Sequence, residues 1–177
     1  MNNLLGILPS DVLVHGPSKL LVDKYHWHEP ELGIIASYTP QAKDVLDHFG
    51  LFRGVDQIEA FGQATVGSCV PFLEAKKQNC TLDDLKPRYT PTFVGLGQVN
   101  FHNPLLEGET FVSMGHIKFY KFRQMVCDGR IYKVPQGLNL DEYFNKFTLE
   151  RLKNYDLHEG FTLIAEIYDI TGRAIKK

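Results

Sequence analysis

The sequence predicts an α+β fold in which one long antiparallel sheet wraps around a single apolar helix. Two observations carry this prediction. Strand-like and helical segments follow one another as strand, strand, long helix and four strands, an order typical of α+β domains. The helix, from Gly54 to about Cys69 with a possible extension towards Glu74, is small or apolar at almost every position. We therefore expect it to be buried on nearly all sides.

The strands are predicted from runs of β-branched and aromatic residues bounded by turn residues. These strands cover 20–28, 34–39, 92–101, 110–123, 124–134 and 161–170. A single sheet wrapped around a single helix is the hot-dog arrangement. Its edge strand would expose unpaired backbone groups, and pairing with a second copy would remove that exposure. The fold class therefore predicts a dimer.

The stretch 135–160 interrupts the last hairpin of what we read as a single domain covering residues 1–177. Asn139 and Glu142 have the spacing of a helix capping box, and large apolar residues follow a helical period. The apolar stripe consists of Leu140, Tyr143, Phe144 and Phe147. We expect one amphipathic helix here, packed beside the entrance for a substrate.

Composition excludes several classes of function. A net charge of −2 leaves no basic excess for binding nucleic acid, and no apolar run approaches the ~20 residues that a membrane span needs. The start of the chain has no signal-peptide pattern. Three cysteines without metal-binding spacing are expected to be reduced thiols in a cytoplasmic protein.

The central helix carries a polar face in its first turns. Asp56, Glu59 and Gln63 are spaced to lie on one side, and His48 precedes the helix in a glycine-flanked turn. Histidine changes charge near neutral pH, so an imidazole beside a helix carboxylate is suited to proton transfer. A spacing of this kind more often belongs to a hydrogen-bonded structural pair, so the spacing alone favours the structural interpretation.

Four stretches resemble, in the same order, the motifs of one enzyme family. They are LLVDK at 20–24, HF at 48–49, GV followed by IEAFGQ within 54–63, and VNF with NP and EGE within 99–109. The family is that of the 3-hydroxyacyl-[acyl carrier protein] dehydratases, which have the hot-dog fold, and the likeness covers roughly 19–133, with 163–168 rejoining. The loop between His48 and Glu59 is shorter than in the family, and Asp47 stands where the family has glycine.

The resemblance implies removal of water from a 3-hydroxyacyl thioester to give a trans-2-enoyl thioester, in fatty-acid or polyketide-like synthesis, without a metal or other cofactor. It implies that His48 is the base and that Glu59 of the other subunit serves as the acid or holds the water. We expect Glu59, buried in an apolar helix, to hold its proton. The backbone N–H groups of Gly54 and Val55 at the helix start suit a thioester oxyanion. Gln63 either orients Glu59 or is a buried amide satisfied by the backbone.

The implied partners are an acyl carrier protein or CoA thioester and a second copy of the chain, in a homodimer or an oligomer of dimers. We expect His48 at the mouth of an apolar tunnel, within one water of Glu59 across the dimer interface. No nucleic acid or membrane partner is expected.

Two other functions remain open. A hot-dog acyl thioesterase would use the helix acid to activate water, although the His48-Phe49 element argues against it. A non-catalytic acyl-binding or partner subunit is favoured if the shorter loop misplaces His48. A zinc site is a weaker candidate, because His26 and His28 are expected to share one face of a strand but no third ligand is evident.

Overall fold

The computed structural model describes residues 2–177. A π turn, Gln63–Gly67, joins the second and third helices, and short 3-10 turns lie at Pro17–Lys19 and Ala42–Asp44. The helices and strands are, in chain order, α1 (Pro9–Val12), β1 (Lys24–Glu29), β2 (Gly33–Tyr38), α2 (Gly54–Gly62), α3 (Ser68–Gln78), α4 (Leu82–Leu85), β3 (Tyr89–Gly95), β4 (Gln98–Phe101), β5 (Phe111–Lys121), β6 (Gln124–Lys133), α5 (Leu140–Phe144), α6 (Leu149–Asn154) and β7 (Thr162–Lys176).

Within residues 2–177 the strands form one seven-stranded antiparallel sheet in the order β1-β2-β5-β6-β7-β3, with β4 also paired to β7. The predicted α+β architecture is confirmed. The strand predicted over 92–101 is instead two short strands, β3 and β4, which pair with successive parts of the long β7. Together they form one exposed edge of the sheet. None of the helices in the described range is long and apolar enough to cross a membrane.

The central helix is continuous from Gly54 to Gln78 through α2, the π turn and α3, longer than predicted. Pro71 lies inside α3 and cannot donate the usual backbone hydrogen bond. The wider π turn that precedes Pro71 accommodates the change in the backbone hydrogen-bond pattern. There the hydroxyl of Ser68 donates to the carbonyl of Gln63 at 2.7 Å. A proline inside the pattern therefore did not end this helix.

The expectation that this helix is buried on nearly all sides is wrong for α2. Val55 is exposed at its first turn, and 48% of the Glu59 side chain is accessible to solvent. The π turn is more deeply buried, and glycines of the sheet allow that close contact. A Cβ atom at Gly115 would lie 2.2 Å from Thr65, and one at Gly129 would lie 2.4 Å from the Phe61 ring.

A β-bulge in β1 overturns the expectation that His26 and His28 share a face. Pairing with β2 skips from Tyr25 to Trp27, so His26 is an extra residue that shifts the alternation. His26 faces the outer side, where its ring contacts Phe144. His28 faces the core, where its ring packs edge-on against Phe72. Two histidines on opposite faces of a sheet cannot bind one metal ion.

The insertion 135–160 contains two short helices, α5 and α6, rather than the one predicted. They pack on the outer face of the sheet, opposite the central helix, and form a second apolar cluster with the strands. Its fully or nearly buried members are Ile35, Val112, Met114, Tyr132, Phe144, Phe147 and Leu152. The apolar stripe is thus covered by the host domain. Neither cavity described below includes a residue of the insertion, so the expected position beside a substrate entrance is not observed.

A chain of hydrogen bonds fastens α5 to β1 and β2. Nε2 of His26 lies 2.8 Å from the hydroxyl of Ser37, and Nδ1 lies 2.9 Å from the carboxylate of Asp141, which also pairs with Lys24. Serine, histidine and aspartate in this order are the groups of a hydrolase triad. Here Ser37 is buried beneath the insertion and lines neither cavity. These hydrogen bonds therefore have a structural role, holding α5 against the sheet.

The buried imidazole of His28 makes stability depend on pH. Burial, helped by the nearby charge of Lys76, lowers its pKa from 6.5 to about 4. Below pH 6.5 the imidazole therefore binds a proton in the unfolded chain but not in the folded chain. As a result, the free energy of unfolding falls as the pH drops from 6.5 to 4. We expect a loss of about 3 kcal/mol in the free energy of unfolding over this window, measured by urea denaturation at pH 7 and pH 4.

The control for this effect is His28→Asn. The asparagine oxygen replaces Nδ1 as the acceptor for the backbone N–H of Leu4, which lies 3.0 Å away, but it does not titrate. The variant should lose less stability between pH 7 and pH 4 than the wild type. Equal losses in both proteins would show that His28 is not the group responsible.

Candidate active site

The carboxylate of Glu59 lies on the exposed face of α2. Its Oε1 atom accepts a hydrogen bond of 2.9 Å from Nε2 of Gln63, and it lies 3.4 Å from Nε2 of His15. Asp56, one turn earlier on the same face, is paired with Arg53 through both carboxylate oxygens. The polar face predicted from the spacing is present, and each member has a partner from this chain.

Gln63 makes hydrogen bonds of both kinds that the sequence left open, to the backbone and to Glu59. Its side chain is almost fully buried. Its Oε1 atom accepts from the backbone N–H of Leu21 at 2.8 Å, and its Nε2 atom donates to the carbonyl of Lys19 at 2.8 Å as well as to Glu59. The amide is therefore satisfied by the backbone and also orients the carboxylate. It ties the N-terminal segment to the start of the π turn.

The pKa of Glu59 is lowered, which corrects the expectation that this residue holds its proton. The main cause is the hydrogen bond from His15; burial acts in the opposite direction, while the hydrogen bond from Gln63 and the charge of Lys19 also lower the pKa. Burial does not prevail because the side chain is half exposed. At neutral pH Glu59 is a carboxylate, a form suited to accept a proton.

Two cavities meet at His15 and Glu59, and both residues line each of them. The first cavity, about 240 Å³, extends along the π turn and α3 towards β3. Its apolar wall includes Val66, Val70, Leu82 and Phe93. The second cavity, about 270 Å³, lies towards the start of α2, and its lining includes the polar side chains of Lys19, Asp44, Arg53 and Asp56. Glu59 thus stands between an apolar and a polar compartment.

The structure does not bring His48 to these cavities within a single chain. His48 lies in an exposed loop between Asp47 and Phe49, which both have positive φ angles, as does the following Gly50. It lines neither cavity. The glycine-assisted tight turn expected from the short loop is present, and contact between His48 and Glu59 of another copy stays a prediction.

Gly54 and Val55 begin α2, and no residue in the described range 2–177 accepts a hydrogen bond from their backbone N–H groups. They line neither cavity in one chain. The backbone at Gly54 lies against the ring of Phe101, which a Cβ atom would approach to 2.7 Å. The oxyanion role of these N–H groups stays a prediction.

His15 is the site residue that sequence reasoning missed. It lies in an irregular segment between α1 and the turn at Pro17–Lys19, where no helical or strand period relates it to Glu59. No group of three or more potential metal ligands was found among residues 2–177. The arrangement at Glu59 consists of a carboxylate, an imidazole and an amide.

Comparison with known proteins shows what this chain is similar to. No protein-family model and no curated protein matches the sequence. Among solved structures, the dehydratase heterocomplex ApeI:P from Xenorhabdus doucetiae matches over 97% of this chain and 93% of the other, with a TM-score of 0.65 and 11% identity. A mutant of a hypothetical thioesterase from Streptococcus pneumoniae TIGR4 matches over 87% and 92%, with a TM-score of 0.51 and 10% identity. The chain has the hot-dog fold.

Proposed function

We propose that this protein is an enzyme that removes water from a 3-hydroxyacyl thioester, and that two copies share each active site. The observation that carries the proposal is the position of Glu59. Its ionised carboxylate stands between an apolar and a polar cavity, and one of its oxygens is held by Gln63 and His15. The similarity in fold to a dehydratase complex agrees with this function.

The two cavities suit the two parts of an acyl thioester. A volume of about 240 Å³ exceeds the ~150 Å³ of an apolar cavity that accepts benzene, so the apolar cavity has room for an acyl chain. The polar cavity, with Lys19 and Arg53 in its wall, suits the carrier side of the thioester. The carrier is an acyl carrier protein or CoA.

The ionised state of Glu59 sets the direction of proton transfer. Glu59 accepts the α-proton, and the electron pair moves to the thioester oxygen, where the N–H groups of Gly54 and Val55 offer hydrogen bonds. That electron pair then returns to form the double bond between C2 and C3 as the bond from C3 to the hydroxyl group breaks, and the imidazolium of His48 from a second copy protonates the departing oxygen as water. These roles of Glu59 and His48 are the reverse of those that the family resemblance implies.

A second copy would cover an apolar surface around the His48 loop. The backbone of Gly50 accepts from Glu107 at 3.1 Å, and Phe52 donates to the carbonyl of Leu105 at 2.8 Å, so the loop is joined to the turn after β4. The exposed apolar residues on this surface are Leu46, Phe49, Val55, Phe101 and Leu106. Phe49 is 96% exposed with a φ of 56°, a conformation that is costly for a bulky residue.

Phe49→Ser should therefore weaken dimerisation. If Phe49 is a buried anchor in the dimer, its loss should raise the dissociation constant about 30-fold or more, measured by sedimentation across a concentration series. The matched control is Phe122→Ser in the β5–β6 hairpin, because Phe122 is also exposed and has a positive φ. Dissociation constants that are equal in the two variants would remove the His48 loop from the interface.

A thioesterase is the second candidate, because the lowered pKa of Glu59 suits its chemistry as well. An ionised carboxylate can accept a proton from water as the water attacks the thioester carbon. This route does not need a second group to protonate a departing hydroxyl. One experiment separates the candidates. The purified protein is incubated with 3-hydroxyacyl thioesters of carrier protein and of CoA, and the products are followed by mass.

Loss of water with the thioester intact would support the dehydratase, whereas release of a free acid would support the thioesterase. No turnover of any thioester, with acyl chains still bound, would support the non-catalytic partner subunit and refute the proposed activity. Activity at one carrier only would identify the carrier.

A further inference from the structure

The N-terminal segment that carries His15 is fixed to the central helix on both sides of that residue. On the near side, Leu13 is buried in the core and contacts the helix at Gly67, where a Cβ atom would lie 3.2 Å from the leucine. On the far side, the backbone of Lys19 and Leu21 is hydrogen-bonded to Gln63. The segment therefore crosses the exposed face of the helix with little freedom, and its path places the imidazole of His15 against Glu59.

The two oxygens of the Glu59 carboxylate have different surroundings. Oε1 is shared by Nε2 of Gln63 at 2.9 Å and Nε2 of His15 at 3.4 Å. Among residues 2–177, none donates a hydrogen bond to Oε2. Gln63 donates to Oε1 and the imidazole of His15 lies against the same oxygen, so both contacts restrict Oε1 and leave the other oxygen free to meet a substrate.

The ring of His15 is held beside the site rather than in open solvent. Its Nδ1 atom is buried, with no hydrogen-bond partner in the described part of the chain, and only 28% of the side chain is accessible. The separation of 3.4 Å is long for a hydrogen bond, and such contacts often tighten when a substrate displaces solvent. His15 lines both cavities, as Glu59 does.

We propose that His15 is a positioning residue that acts from within the same chain, holding Oε1 of Glu59 so that Oε2 faces the reacting carbon. This inference rests on the proposed function, because it assigns His15 to the same site. It differs from the dimer-dependent role of His48 in that the chain supplies this histidine to its own carboxylate. The N-terminal segment is then part of the active site and not only a cover for the helix.

Two substitutions separate positioning from packing. His15→Leu keeps apolar bulk but removes the donor, whereas His15→Gln keeps an N–H group that can reach Glu59. We expect His15→Leu to lower kcat by roughly 10- to 100-fold, the value of one hydrogen bond to a charged group, with KM nearly unchanged. His15→Gln should restore most of that loss. Equal impairment in both variants would overturn the positioning role.

The matched control is His102→Leu. Within residues 2–177, His102 and Glu166 form the second histidine–glutamate pair, with Nε2 of His102 3.1 Å from the carboxylate. This pair lies outside the cavities. This variant should keep the wild-type kcat. A loss as large as that in His15→Leu would show that deleting any such pair harms the enzyme, and would contradict a specific role for His15.

A second measurement does not depend on activity. The pKa of the Glu59 carboxylate is followed by carbon-13 NMR in the wild type and in His15→Leu, and it should rise in the variant. An unchanged pKa would overturn the inference even in an active enzyme. If the wild type turns over no thioester, the proposed function fails, and the NMR comparison alone decides whether His15 holds Glu59.

Discussion

Glu59→Gln should lower kcat for the acyl thioester by about 10²- to 10⁴-fold, the usual contribution of a general acid or base. The amide has the same shape as the carboxylate, and its oxygen can still accept from Gln63 and His15. The group at the position of Oε2 then no longer accepts a proton. The fold and the binding of the substrate should persist, so the loss should appear in kcat rather than in KM.

The control is Glu166→Gln. Like Glu59, Glu166 lies close to a histidine, His102, but this pair is outside the two cavities. Glu166 lies on β7 and also pairs with Arg130 at 3.0 Å. Because the substitution also removes this ion pair, the melting temperature of the variant must be measured together with its activity. It should retain nearly full turnover per folded molecule. Wild-type turnover in a folded Glu59→Gln variant would remove Glu59 from the mechanism.

The fold was accessible from the sequence because its strongest signals are local and periodic. The segments predicted at 34–39, 110–123 and 124–134 closely match β2, β5 and β6. The bulge in β1 was not accessible, because the extra residue is defined only by its pairing with β2. That single residue moved His26 and His28 to opposite faces.

The helical part of the site was predictable for the same reason. Spacing along one helix places Glu59 and Gln63 one turn apart, and their side chains are joined by a hydrogen bond. His15 has no such relation to Glu59, because a segment without regular structure brings it there. The charge state of Glu59 also depends on that contact, and for this reason the expectation of a protonated acid was wrong.

The insertion illustrates a different limit. Its apolar residues predicted one helix with a stripe that must be covered, where the structure has two short helices, and a pattern within one segment does not say which face of the sheet provides the cover. The outer face offers Ile35, Val112 and Met114, which complete the second apolar cluster. The insertion joins two strands near the end of the sheet, but this place in the chain did not show that it would lie near the candidate active site.

The shared active site predicts a specific pattern of complementation between inactive variants. His48→Ala and Glu59→Gln chains, co-expressed with different affinity tags, are purified as mixed dimers. If His48 of one copy acts with Glu59 of the other, each mixed dimer keeps one intact site of two. The expected activity is about half that of the wild-type dimer, by the symmetry of the interface, whereas dimers of either variant alone should be 10²- to 10⁴-fold less active.

The converse pairing is the control, and it should give the opposite result. In a dimer of one wild-type chain and one His48→Ala/Glu59→Gln double variant, every shared site lacks one of the two groups, so activity should be lost. If His48 instead serves the Glu59 of its own chain, the wild-type chain retains its site and the dimer keeps about half the activity. In that case the mixture of single variants would be inactive. The two dimers together thus distinguish a site shared between copies from one completed within a single chain.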